Sequence, residues 1–441
     1  MWPNRCWMQR IRGIIKPSTT IKPAMRALPN QNGESSLMPN IPGSLIVWLL
    51  AAGLCATPVS AAEADKATTD KPAEEAPTIT SVFGIEPLKV YALPFEDKYP
   101  TGPFEILDDK HFLFVGKCGQ VYFTRLGDKL ELEHAADELQ KPAADDTSAL
   151  ANPVYCKEFT GVKDSVRVGD KLLVAYTAWD AKLNGIRLAV SEFALDTAAQ
   201  TLTFTRDIYL SDPAIKEPIL GNQVGGKMAL GEDDGILYLG IGDFSRPEFV
   251  QDKQTSLGKV LRIELSSLRS QVWATGVRSP SGGLFYDRKA GQLWLTDHGP
   301  QGGDEINLIQ HGRNYGWPLV SYGTMYERGG MGNYYGGNGF NTHEGYTKPA
   351  MTFVPSVGVG PIARYPDNGK NEYWENDYFV AGMGATTLYR IRKEDEHLVY
   401  AEPVLKGYRI RSIKFDDAGN FYLKTDNNQL LLSDSSKKRM P

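Results

Sequence analysis

At 441 residues, 41% of them hydrophobic, the chain can fill a sizeable core and is long enough for two or three average domains or one large repeat-built β domain. Of its 48 Lys and Arg and 53 Asp and Glu, six basic residues and one acidic residue precede Ala62, leaving 42 against 52, a net charge of -10. So acidic a body argues against a nucleic-acid partner, whose phosphates call for a basic surface.

The N-terminal stretch "GSLIVWLLAAGLCATPVSAAEA" is an apolar run ending in small residues, the pattern of a secretory signal cleaved near Ala61 or Ala62. It is short for a membrane span, which remains the alternative. No Lys or Arg lies between Met38 and Ser60, so the basic region that precedes such a run is the stretch before Met38 or is absent, with Met38 as a possible start. Residues 1–61 are therefore read as a leader and 62–77, "AEADKATTDKPAEEAP", as a flexible tether without aromatics. The expected destination is the periplasm or the medium. There Cys118 and Cys156, the two cysteines left after the leader, would pair in a disulfide, against the alternative of two unrelated buried thiols.

From Thr78 to about residue 437 one unit recurs: a short strand, a polar turn with Asp and Gly, then a strand of apolar character. It is read at "FEILDDKHFLFVGKCGQVYFTRL", "SVRVGDKLLVAYTAW", "GGKMALGEDDGILYLGIGDF", "SGGLFYDRKAGQLWLTDHG", "IARYPDNGKNEYWENDYFVAGMG" and "IRSIKFDDAGNFYLKTDNNQLLLSD". Six such copies, without a long amphipathic helix, predict an all-β fold, a six-bladed β-propeller, with a pair of β-sandwiches as runner-up. "GDKLELEHAADELQKPAADDTSALANP" reads as an exposed insertion between blades. The Gly- and Tyr-rich "GTMYERGGMGNYYGGNGFNTHEGY" reads as a long loop at a binding mouth.

A propeller gathers its inner strand ends around one axis, so polar residues just past those strands converge. They are Asn222, Gln223, Lys227, Asp243, Arg278, Ser279, Asp297, His298, Arg409, Arg411 and Asp426. Arg409 and Arg411 alternate and can point to one side of a strand, where two guanidinium forks suit a polycarboxylate or phosphate. Two surface arginines are the alternative. His298 has the chemistry of a base, a hydrogen-bond donor or a metal ligand. The adjoining "GPQGGDE" offers carbonyls at Gly299 and Pro300 and carboxylates at Asp304 and Glu305, oxygen donors of the kind calcium takes, though without a DxDxDG loop.

The stretch "TGVRSPSGGLFYDRKAGQLWLTDHGPQGGDEINLIQHGRNYGWPLVSYG" resembles the signature of the soluble PQQ-dependent aldose sugar dehydrogenases, the glucose/sorbosone dehydrogenase family. The upstream "GGKMALGEDDGILYLGIGD" and the downstream "YRIRSIKFDDAGNFYLKTD" keep the family's order. The resemblance covers about residues 216–434 well and 78–212 loosely. It implies a six-bladed propeller that binds pyrroloquinoline quinone (PQQ) and Ca²⁺ at the channel mouth and oxidises a small-molecule sugar, passing electrons to a soluble acceptor. By motif position Gly299 and Pro300 would give backbone oxygens to calcium, and Arg409 and Arg411 would hold the cofactor carboxylates. Arg278 would stabilise the reduced quinone, and His298 would lie against the cofactor.

The chain departs from the pattern at the base. Where the family has a His within H-x-G-G-R, "NQVGGK" puts Gln223, and Lys227 stands in the Arg position. A carboxamide takes no proton at neutral pH. Two readings follow: a dehydrogenase whose base is another group, Asp243 or His298, or a propeller that has lost oxidation and binds carbohydrate or protein.

Overall fold

The computed structural model describes residues 76–96, 103–136, 139, 153–219, 221–324, 339–340 and 342–434. The leader, nearly all of the tether, most of the Gly/Tyr-rich loop and the Asn222 side chain lie outside them. Among the described residues no helix is long and apolar enough to cross a membrane.

Six antiparallel sheets follow one another along the chain, five of four strands and one of five, and their order matches the six sequence copies. The innermost strands are Phe104–Ile106, Val162–Val168, Gly225–Leu230, Gly283–Asp287, Val359–Arg364 and Ile410–Phe415. Two of the second strands, Ile236–Ile241 and Tyr378–Gly382, are buried at every position, and the other four at most positions. Neighbouring blades cover both faces of these strands, which is why they read as continuous apolar runs rather than as alternation.

The core is divided among the seams between blades. One cluster packs Leu188 and Val190 of the second blade on Leu237 and Leu239 of the third. Another packs Trp294 and Ile306 of the fourth blade on Tyr378 and Val380 of the fifth. Comparable clusters occupy the other seams. No blade buries its own faces, so stacking supplies the hydrophobic free energy.

Closure of the ring is a tertiary event that local patterning does not reveal. The last blade takes Ile410–Phe415, Phe421–Thr425 and Gln429–Ser433 from the C-terminal end, then adds Gly84–Ala92 and Thr78–Ser81 from the other end of the propeller. A buried charge network holds that outer edge. Arg390, 1% exposed, donates to Asp377 Oδ2 at 2.6 Å, to Ser81 Oγ at 2.9 Å, to the Tyr400 hydroxyl at 3.0 Å and to Glu402. Inside the ring Lys414 meets Glu105 at 2.6 Å, joining the sixth blade to the first.

One expectation is corrected. The first part of the supposed insertion is the outer strand of the first blade, Leu130–Ala136, paired with Val121–Leu126. Its "LELEHAA" alternates, and Leu130 turns into the seam with the sixth blade.

Candidate active site

At one end of the central channel the inner strands and the turns above them enclose a cavity of about 550 Å³. Five cationic side chains line it: Lys163, Lys227, Arg278, Arg409 and Arg411. The second, third, fourth and sixth blades each contribute. Gln223, His298, Gly299, Pro300, Met383 and Phe159 complete much of the wall.

The sixth blade's inner strand carries Arg411, with Arg409 just before it. Arg409 and Arg411 do reach one side together, and both grip Asp426: Arg409 Nε donates to Oδ2 at 2.6 Å and Arg411 Nη2 to the same oxygen at 2.9 Å. Their Nη1 groups meet Met383, Arg409 at the carbonyl oxygen (3.0 Å) and Arg411 at the sulfur (3.1 Å). Asp426 thus fixes the guanidinium planes while cancelling one of two charges. Lys227 is paired with Asp164 at 3.4 Å. Among the described residues no carboxylate makes an ion pair with Lys163 or Arg278, so the wall keeps a positive excess.

Arg278 is held from three sides. Its backbone N–H donates to Asp297 Oδ2 at 2.8 Å, its Nη1 donates to the carbonyls of His298 (3.0 Å) and Gly299 (2.9 Å), and its guanidinium lies 5.1 Å from the Trp317 ring centre. Its Nε is buried without a hydrogen-bond partner. A buried N–H of this kind is costly unless a ligand completes it. Asp297 also accepts the Ser279 N–H at 2.6 Å, and burial beside Glu305 pushes its carboxyl up to about 7.

The turn 299–303 is pinned by Asp304, which is 1% exposed. Its Oδ1 accepts from Gly299 N at 3.1 Å and Ser356 Oγ at 3.0 Å, and its Oδ2 from Gly358 N at 2.6 Å and Val359 N at 3.0 Å. Glu305 is taken by His343 (3.0 Å) and Asn307 (3.1 Å). The carboxylates of GGDE are therefore structural. They do not supply the oxygen donors for a metal that composition suggested.

Two further expectations change. Asp243 is buried behind the wall, its Oδ2 accepting from Trp317 Nε1 at 2.8 Å and its Oδ1 from Ser245 N at 2.8 Å, so no substrate proton is within its reach. Burial still raises its carboxyl to about 6. Its part is to seat the indole on which Arg278 rests. His298 does line the cavity, yet burial, reinforced by Arg278, Arg411 and Arg409 and only partly opposed by Asp304, lowers it to about 4. A neutral imidazole with so low a pKa is a hydrogen-bonding partner and a weak base. Gln223 is 3% exposed with its amide oxygen accepting from Ser245 Oγ at 2.5 Å, which leaves the amide N–H₂ as what it can offer a ligand.

Residues 103–433 match the family described as Glucose / Sorbosone dehydrogenase. The chain belongs to that family. Among curated relatives, the aldose sugar dehydrogenase YliI of Escherichia coli is 28% identical over 228 residues, 47% of this chain and 58% of that protein. Quinoprotein glucose dehydrogenase B of Acinetobacter calcoaceticus is 28% identical over 162 residues, 30% of this chain and 32% of the relative. The chain thus spans 58% of the length of the one relative and about a third of the other. Among solved structures, a glucose dehydrogenase superposes with a TM-score of 0.66 at 23% identity, covering 79% of this chain and 99% of the other. The PQQ-bound aldose sugar dehydrogenase of Streptomyces coelicolor gives 0.54 at 19% identity, covering 81% and 98%. Both likenesses concern the fold.

For this glucose/sorbosone dehydrogenase family member, the donor set fits a planar tricarboxylate such as PQQ: a cation-rich wall, two oriented arginines and the unpartnered Nε of Arg278. Calcium fits less well. The carbonyl of Gly299, expected to ligate it, accepts from Arg278, and the described residues contain no group of three His, Cys, Asp or Glu able to hold a metal. A divalent ion at Gly299 would have to share that carbonyl with the Arg278 guanidinium or displace it.

Two wall residues escaped sequence reasoning. Lys163 lies on the second blade's inner strand, and Phe159, 56% exposed, stands just before it. In "FTGVKDSVRV" both stand ahead of the segment whose alternation announces a strand. Gly226, at φ +97°, makes room for the lysine, since a Cβ there would lie 2.6 Å from Lys163 Cβ.

Proposed function

We propose that the protein is a PQQ-dependent sugar dehydrogenase that oxidises an aldose hydroxyl and delivers the electrons to a soluble acceptor. The observation that carries this reading is the convergence of Lys227, Arg278, Arg409 and Arg411 on one cavity, with Arg278 Nε lacking a partner. Arg409 and Arg411 would hold cofactor carboxylates, and Arg278 would face the oxygen that gains charge on reduction. When bound, PQQ supplies an ortho-quinone able to accept a hydride. The chain's own work is to bind and orient it, to present the Gln223 N–H₂ and the neutral His298 as hydrogen-bonding groups, and to offer the sugar the exposed ring of Phe159. Calcium at Gly299 and Pro300 belongs to the same proposal as a further test: chelation should weaken PQQ binding only if the ion replaces Arg278 there. Action in the periplasm or outside the cell is supported by the Cys118–Cys156 disulfide, a bond that persists in oxidising compartments.

The second reading, a propeller that only binds carbohydrate or protein, is favoured by Gln223 in the expected base position. Titrating the purified chain with PQQ separates the two. A shifted quinone absorbance that aldoses then bleach supports the dehydrogenase; a chain that takes up no PQQ refutes it.

A further inference from the structure

If the protein oxidises sugars, a hydroxyl proton must leave, and none of the three groups considered for that task is suited to it. Gln223 is an amide, Asp243 is behind the wall, and His298 shares the wall with Arg278, Arg409 and Arg411, beside which a further positive charge is disfavoured. We propose that Lys163 is the general base of this site, an inference that rests on the dehydrogenase reading.

The geometry is specific. The Lys163 amine lines the cavity and donates to two backbone carbonyls, Phe159 O and, at 2.8 Å, Gly221 O. Gly221 begins the short turn Gly221–Gln223, so the amine is anchored on the same turn that carries Gln223. The segments are pressed together there, since a Cβ on Gly221 would come within 2.7 Å of the Phe159 carbonyl carbon. A neutral amine has two N–H bonds and one lone pair. With both N–H groups given to carbonyls, the lone pair is left for the cavity.

The surroundings favour that neutral form. Lys117 from the first blade, Lys227 from the third and Arg411 from the sixth all bring positive charge, and the nearby Asp164 is committed to Lys227 and to the Met228 N–H. Burial first, and then these three cations, lower the lysine from its ordinary value to about 7. A base with that pKa is matched to neutral pH.

The step balances as follows. The sugar O–H bond breaks and its proton passes to the Lys163 amine, which becomes an ammonium. The C–H bond on the same carbon breaks as hydride, its two electrons going to the ortho-quinone oxidant of the proposed function. The carbon–oxygen double bond forms, and the ammonium returns its proton to solvent.

The test uses the full purified chain in two measurements. Competitive acetylation of the PQQ-free protein, read by peptide mass spectrometry against pH, should show Lys163 gaining reactivity with a midpoint near 7, whereas an ordinary lysine gains it near 10. Lys163→Arg keeps donors to the carbonyls but is permanently charged, so it has no lone pair with which to take a proton. It should bind PQQ within a few-fold of the parent while kcat for aldose falls by about 10²–10⁴-fold, with partial rescue by a second change, Gln223→His. A labelling midpoint near 10, or full turnover by Lys163→Arg, overturns the assignment and leaves the dehydrogenase reading standing. A parent that binds no PQQ, or binds it and oxidises no aldose, overturns the reading and the role of the amine together.

Discussion

Asp304→Asn tests whether GGDE is scaffold or ligand. Asp304 accepts four hydrogen bonds from the turn at Gly299, from Ser356 and from the start of the fifth blade's inner strand. Asparagine keeps the shape but has one accepting oxygen, so its N–H₂ must face two of those donors. Each buried donor left without an acceptor costs about 1–3 kcal/mol, and burying one charge fewer returns part of it, so a loss of roughly 3 kcal/mol is expected. In a propeller of this size that corresponds to a fall in Tm of roughly 5 °C. Urea denaturation followed by tryptophan fluorescence reads the stability, and PQQ titration reads the mouth, where Gly299 should lose its fixed orientation and cofactor affinity should fall. A variant within about 0.5 kcal/mol of the parent with unchanged PQQ binding would refute the scaffold argument.

Arg411→Met should weaken PQQ binding by roughly 10- to 100-fold, as expected for one charge-assisted hydrogen bond of about 1.5–3 kcal/mol, and equilibrium titration measures it. Cys118→Ser opens a cross-link with a sequence separation of 38 and should cost about 4 kcal/mol by chain entropy, seen as a lower urea midpoint; an unchanged midpoint would show that the bond contributes nothing to stability. Arg390→Met leaves the buried Asp377 and the half-buried Glu402 without their main partner and should destabilise by about 3 kcal/mol, with hydrogen exchange rising first in Thr78–Ser81. Exchange unchanged in that strand would mean the clasp is not what holds it.

The six-bladed fold was legible because each blade repeats the same punctuation of strand, Asp/Gly turn and apolar strand. A run such as "ILYLGI" or "YFVAG" declares that both its faces are covered. The pairing of Gly84–Ala92 with Gln429–Ser433 was not legible, since no local signal links two strands at opposite ends of a ring. Residues of the site were found wherever a strand end carried an unusual polar group, as with Arg278, His298 and the Arg409/Arg411 pair. Asp243 met the same criterion and failed, because the direction of a side chain at a strand end depends on what packs behind it, here the Trp317 indole.

By itself, then, the sequence determined the blade count through its repeated unit, carried the motifs whose resemblance points to the family, and placed Lys227, Arg278, Arg409 and Arg411 near strand ends. Only the tertiary structure decided which groups can titrate and which are fastened. Asp304 and Glu305 are spent on backbone and side-chain donors, His298 is held neutral by burial with three arginines reinforcing it, and a lysine that looks ordinary in sequence is brought under two carbonyls beside Gln223. Protonation is set by burial and by charges from other blades, and those distances exist only once the ring is closed.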